Sequence, residues 1–142
     1  MGLFNFAKKK TMENVSNNLL NSNEVTIWLD NVLMQEIPED IKAFCFNLYD
    51  DGDNKWSMEL VGTRTFDMDD SDWACEEITD FGTRENPFVL YRTTQWDKVL
   101  DELSLAIREY LECGNYAQIL KSKDGIGMGF VDGDLEILYS KE

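Results

Sequence analysis

Residues 94–114 dictate most of what this chain can fold into. Trp96, Val99, Leu100, Leu103, Ala106, Ile107, Tyr110 and Leu111 recur at steps of three and four, the repeat of one helix face. Asp97, Lys98, Asp101, Glu102, Ser104, Arg108, Glu109 and Glu112 fill the opposite side, which should face water. Thr94 is placed to cap the first turn, with Asp97 three residues on as a reduced capping box. Gly114 is placed to close the last turn in a left-handed conformation. Each large side chain on the apolar face gains about 1.5–3 kcal/mol on full burial. Such a helix requires a sheet or other helices to lie on.

The sheet is announced by a change of period. From Lys42, Phe44, Phe46 and Leu48 alternate with Cys45, Asn47 and Tyr49. Beyond Asp50-Asp-Gly-Asp-Asn54, Trp56, Met58 and Leu60 alternate with Ser57, Glu59 and Val61. Two alternating runs around an Asp-Gly turn predict a hairpin. Phe88–Tyr91 reads as a short strand after the Gly82 and Asn86-Pro87 loop signals, and Trp73, Cys75 and Ile78 as another. Ile126, Met128 and Phe130 alternate with Gly125, Gly127 and Gly129, Asp132-Gly133 turns the chain, and Leu135–Tyr139 returns. The glycine run has no strand before it and no helix after it, so it is not a phosphate loop. Its glycines are expected to let another element approach the sheet closely.

Ahead of the sheet, Val25, Trp28, Leu29, Val32 and Leu33 share the face of a helix that Ser22 or Asn23 can cap, that runs to about Glu36 and that Pro38 ends. Alternation of Val25, Ile27 and Leu29 offers a strand as the competing assignment. Residues 11–21 can form a further short helix, and residues 1–10 an apolar-then-basic arm with Leu3, Phe4, Phe6 and Lys8–Lys10. Tyr116–Leu120 reads as a helical turn. The expected fold is α+β: one domain over residues 1–142, with N-terminal helices, an antiparallel sheet of about five strands, and one long helix packed on one face.

Composition removes several function classes. There is no histidine, so Ser-His-Asp and Cys-His mechanisms are excluded, along with the commonest zinc ligand. A formal charge of −15 argues against nucleic acid; it permits fast, salt-sensitive association with a basic protein partner and equally serves solubility alone. No run of about 20 apolar residues exists to span a membrane. The arm lacks the order of a secretory signal, and its membrane affinity would be marginal. Position 6 is Phe where N-myristoylation wants Ser or Thr. Cys45, Cys75 and Cys113 have no paired spacing, which suits reduced thiols in a cytoplasm. Cys45 and Cys113 read as small core residues, and Cys75, among Asp72, Glu76 and Glu77, as a poor nucleophile.

The chemistry-bearing stretch is Phe66-Asp-Met-Asp-Asp-Ser-Asp-Trp-Ala-Cys-Glu-Glu77. Asp67, Asp69, Asp70, Asp72, Glu76 and Glu77 stand there with no basic residue among them. Such a run can be a solvated loop, an acid–base or ligand-binding carboxylate set, or a negative face for a basic partner. Trp73 inside the run supplies an aromatic anchor, which favours the last. The run has no glycine to bend it around a metal ion, and no cofactor is expected. Asp51 and Asp53 lack the calcium-loop pattern and read as turn residues.

The start Met1-Gly-Leu-Phe-Asn-Phe with Lys8-Lys-Lys10 resembles the start of many small bacterial cytoplasmic proteins, and the pattern Phe66-Asp-x-Asp-Asp-x-Asp-Trp-Ala-Cys-x-Glu77 and the segment Gly129-Phe-Val-Asp-Gly-Asp-Leu135 resemble segments of small acidic bacterial proteins. Many of these are immunity proteins of polymorphic and contact-dependent toxin systems. The resemblance covers about a quarter of the chain. It implies a non-enzymatic cytoplasmic inhibitor that binds one cognate toxin domain, often a basic nuclease. The alternative is a small carboxylate-based enzyme or ligand-binding protein using the same 67–77 stretch.

Overall fold

The computed structural model describes residues 23–141. The readings of residues 1–10 and 11–21 lie outside it. Helix α1 spans residues 23–33. Strands β1 (Ala43–Gly52) and β2 (Lys55–Thr63) follow, then a 3-10 turn at Ser71–Cys75, β3 (Glu77–Gly82) and β4 (Phe88–Tyr91). The long helix α2 (Trp96–Cys113), the short helix α3 (Ala117–Lys121), β5 (Gly125–Phe130) and β6 (Glu136–Ser140) complete the described chain.

The architecture is α+β, but the sheet is mixed and has six strands, where an antiparallel sheet of about five was expected. Its order is β3-β2-β1-β5-β6, and β4 also pairs with β2. β3 takes the Val61–Thr63 end of β2, and β4 takes the Lys55–Met58 end, so two short strands share one edge in succession. The parallel contact is β1 with β5, Ala43 opposite Gly125 through Leu48 opposite Phe130. A parallel neighbour needs a long crossover, and everything from β2 to α3 lies in that connection. Alternation along a strand carries no direction, which is why the sequence could not show it.

The β1–β2 hairpin closes on Asp53-Asn54, both in the left-handed region (φ 54° and 64°), as a two-residue turn of this hand requires. Gly52, at φ 83°, lies where the register shifts instead of at the turn centre, which corrects the Asp-Gly expectation.

One face of the sheet carries the main core. Phe44, Phe46, Leu48, Trp56, Met58, Leu60, Ile126 and Met128 meet Val25, Trp28, Leu29, Val32 and Leu33 of α1 and Val99, Leu103, Ile107 and Tyr110 of α2. The helical assignment of α1 therefore holds over the strand alternative. Tyr110 Oη donates to the Asp30 carboxylate at 2.7 Å and accepts from the Tyr116 amide at 3.2 Å. One phenol thus joins α1, α2 and the start of α3.

Both ends of α2 depart from the sequence expectation. Gln95, not Thr94, is the N-cap residue, and it makes no side-chain cap. Gly114 is extended (φ −69°), not left-handed. Its requirement is steric, because a β-carbon there would stand 2.6 Å from the Tyr110 ring. Trp96 and Cys113, read as apolar-face and core residues, are exposed, because the terminal residues of α2 extend past the buried stripe Val99–Leu111.

Candidate functional site

The second face of the sheet holds the chemistry. On it lie Ala43, Cys45, Asn47 and Tyr49 from β1, Ser57, Glu59, Val61 and Thr63 from β2, and Gly125, Gly127 and Gly129 from β5, as the strand registers require. The glycines make this face low. A β-carbon on Gly125 would run into the Phe66 ring, and one on Gly127 would stand 3.0 Å from the Trp73 ring. Phe66 and Trp73 contact each other edge to face, centroids 4.9 Å apart. The two rings seat the acidic segment on the glycine strip at its start and at its 3-10 turn, the close approach the sequence anticipated for these glycines.

Trp73 is 3% exposed, in a small core with Ala43, Cys45 and Val61. It lies within a 3-10 turn, not a strand. Its ring therefore holds the loop to the sheet, and the anchoring role expected of it at a partner surface is corrected: a buried indole offers a partner no surface. Its buried Nε1 has no hydrogen-bond partner among the described residues, so shape alone retains the ring.

The carboxylates around it point outward. Asp67 accepts from the Asp69 amide at 2.8 Å, and Asp70 from the Asp72 amide at 3.0 Å. These successive local turns replace the missing glycine as the means of bending the chain. Asp67, Asp69, Asp70, Asp72 and Glu76 are exposed and enter no ion pair among the described residues. Glu77 departs from this group: half-buried, it accepts from Arg84 Nη2 at 3.0 Å.

Beside the loop lies a network centred on Glu59, for which the sequence raised no expectation. Glu59 is 2% exposed. Its Oε1 accepts from Tyr49 Oη (2.7 Å), Asn47 Nδ2 (3.2 Å) and Arg84 Nη2 (3.1 Å), and its Oε2 from Arg84 Nε (3.1 Å). Burial alone would raise the Glu59 pKa. The bonds from Arg84, Tyr49 and Asn47 outweigh it and hold the carboxyl below its ordinary range. Tyr49 is pushed up to about 12 by burial and by its bond to Glu59. Burial, then the negative charge of Glu77, pushes Cys45 up to about 12. Glu59 is thus fixed as an anion and Cys45 as a thiol at neutral pH. The network positions β1, β2 and Arg84, and none of these three titratable groups is poised to exchange a proton there. The available signal was the hairpin register, which puts Asn47 opposite Glu59 on an otherwise covered face.

An open groove of about 430 Å³ runs between the network and the acidic loop, lined among others by Asn47, Tyr49, Asp72, Cys75, Glu77 and Asp134. The structure thus gathers Asp72 and Glu77 on one groove and leaves Asp67, Asp69, Asp70 and Glu76 on the surrounding surface. Among the described residues no three Asp, Glu or Cys side chains converge as a metal site, and no helix is long and apolar enough to cross a membrane. Comparison with known proteins finds no matching family model, no curated relative and no similar solved structure.

Proposed function

We propose that this protein is a non-catalytic cytoplasmic module that binds a basic protein, acting as an immunity protein that neutralises a cognate basic toxin domain. The observation that carries the reading is the set Asp67, Asp69, Asp70, Asp72 and Glu76, exposed on one loop without internal counter-charges. A loop built only for solubility would not need the rigid mounting that Phe66 and Trp73 give it. Fixed, unpaired charge raises encounter rates with an oppositely charged surface and disfavours wrong partners.

The test is capture of the partner from the source cell, its identification, and association kinetics across a salt series. Asp69, Asp70 and Asp72 changed together to Asn should slow association and flatten its salt dependence, with folding nearly intact, since exposed charges contribute little to stability. Asn keeps the side-chain acceptor that Asp70 uses in the turn. An unchanged rate and salt slope in the triple variant would defeat the reading.

A second reading, a small-ligand site served by the same carboxylates, draws on the groove that Asp72 and Glu77 line with Asn47 and Tyr49. Small-molecule binding that shifts Tyr49 and Asn47 resonances, with no captured protein, would favour it.

A further inference from the structure

A second groove, of about 510 Å³, opens beside the β5–β6 turn. Its apolar wall is Trp96, Leu100 and Phe130, and its rim is Asp50, Asp132 and Asp134. Phe130, Gly133 and Asp134 line both grooves, so the acidic surface continues around the turn from Asp72 to Asp50. Resting on the partner-binding reading above, we propose that this second groove receives an arginine side chain of the basic partner.

The wall is built as a ladder. Trp96 meets Phe130 edge to face, centroids 6.0 Å apart at 87°. Phe130 meets Trp56 in the same way at 5.9 Å and 72°. Trp56 is buried, and its Nε1 donates to the Arg92 carbonyl at 3.0 Å, so the ladder is fixed at its base. At the other end Trp96 is 58% exposed, and its ring stands in water beside exposed carboxylates. Asp132 and Asp134 enter no ion pair among the described residues.

That combination selects its occupant. An anion is repelled by three carboxylates. A neutral apolar group would fill the wall but strip water from the rim charges without compensation. A guanidinium is planar and weakly hydrated, stacks on an aromatic face and forks to carboxylates with parallel hydrogen bonds. An ammonium satisfies the charge but is more strongly hydrated and lacks the planar face. The groove therefore adds a preference of arginine over lysine to an acidic surface that by itself distinguishes only charge.

The test uses the full chain with hexa-arginine and hexa-lysine peptides, titrated at low salt while the Trp96 indole N–H resonance is followed. Hexa-arginine should bind more tightly and shift that resonance. Trp96→Ala, and separately Asp132→Asn with Asp134→Asn, should weaken hexa-arginine binding about tenfold and remove most of the preference over hexa-lysine. Trp96→Leu, which keeps apolar bulk without the aromatic face, should do the same and guards against misfolding of the Ala variant. The Asp69/Asp70/Asp72→Asn variant should weaken both peptides alike. An arginine preference that survives Trp96→Ala and Trp96→Leu, or an indole resonance that does not move at saturation, would overturn the groove while leaving the acidic-loop reading standing. Peptide binding indifferent to every carboxylate variant would remove the acidic-surface reading itself. Self-association lost in Trp96→Leu would assign the groove to a second copy and overturn the proposal.

Discussion

The ring of Trp73 lies 3.0 Å from the point where a β-carbon on Gly127 would stand, and the Leu135 side chain lies 3.2 Å from the same point. Sequence positions 54 residues apart are thus shaped to each other: a strand is kept bare at Gly127 so that the Cζ2–Cη2 side of an indole can approach it. Gly127→Ala should lower stability by about 1–3 kcal/mol, the usual cost of overpacking a filled site. Gly129→Ala should be no milder, because its β-carbon would meet the Asp134 carbonyl at 2.5 Å, and backbone yields less than a side chain. Equilibrium urea unfolding of both variants measures this. A Gly127→Ala midpoint equal to wild type would show that the indole is not seated on the strip, and an equal Gly129→Ala midpoint that the Asp134 backbone does not lie against it.

Arg84 should matter more to stability than its exposed position suggests. It supplies the charge that keeps buried Glu59 an anion. Arg84→Met should cost about 2–4 kcal/mol, since it leaves a buried carboxylate with only Tyr49 and Asn47. The sign of the pH effect follows from the lowered Glu59 pKa. The unfolded chain, with an ordinary glutamate value of about 4.3, binds the proton first as pH falls. The Glu59 contribution is therefore complete above that value and is lost as pH drops through the lower folded-state value. Urea midpoints from pH 7 to pH 3 should converge for wild type and Arg84→Met at the acid end. A constant gap between them would exclude this linkage.

The three thiols should separate by burial. Cys75 and Cys113 are exposed, and Cys45 is enclosed with its pKa pushed up to about 12 and its Sγ 3.3 Å from Asn47 Oδ1. Brief treatment of the native protein with iodoacetamide at neutral pH should add two carbamidomethyl groups, at Cys75 and Cys113. A third should appear only after denaturation. Early labelling of Cys45 would show that the second face opens readily, and a native disulfide would contradict the free thiols.

What the sequence disclosed and what it concealed follow from the range of each signal. The α1 face, Val25 to Leu33, and the α2 face, Val99 to Leu111, were legible because a helix repeats its pattern within its own length. The alternation of β1, β2 and β5 was legible for the same reason, and so was the need for bare glycines on β5. The parallel β1–β5 contact was not, because pairing depends on where a distant strand arrives. The acidic loop was visible as composition, but the role of Trp73 depends on Gly127, far along the chain. Arg84 lies in an ordinary-looking loop and gains meaning only opposite Glu59.

The placement of α2 can be tested with two leucines. Leu103 is 1% exposed and lies in the main core with the sheet residues. Leu105, two positions on and about 200° around the helix axis, is 60% exposed. The two share a residue type and sit in the middle of the same helix, so propensity and position along the axis are matched. Only the face differs. Leu103→Asp would bring a carboxylate into a space filled by apolar side chains, and should cost several kcal/mol or abolish folding. Leu105→Asp should change stability by about 0.5 kcal/mol or less, since it exchanges one wet side chain for another. Circular dichroism under urea gives both midpoints, and Leu103→Ala, with an expected loss of about 2–5 kcal/mol, serves if the Asp variant cannot be recovered folded. Equal effects at the two positions, or a larger one at Leu105, would mean that α2 is rotated on the sheet. Trp96 would then no longer stand beside Phe130, and the aromatic wall of the second groove would not exist.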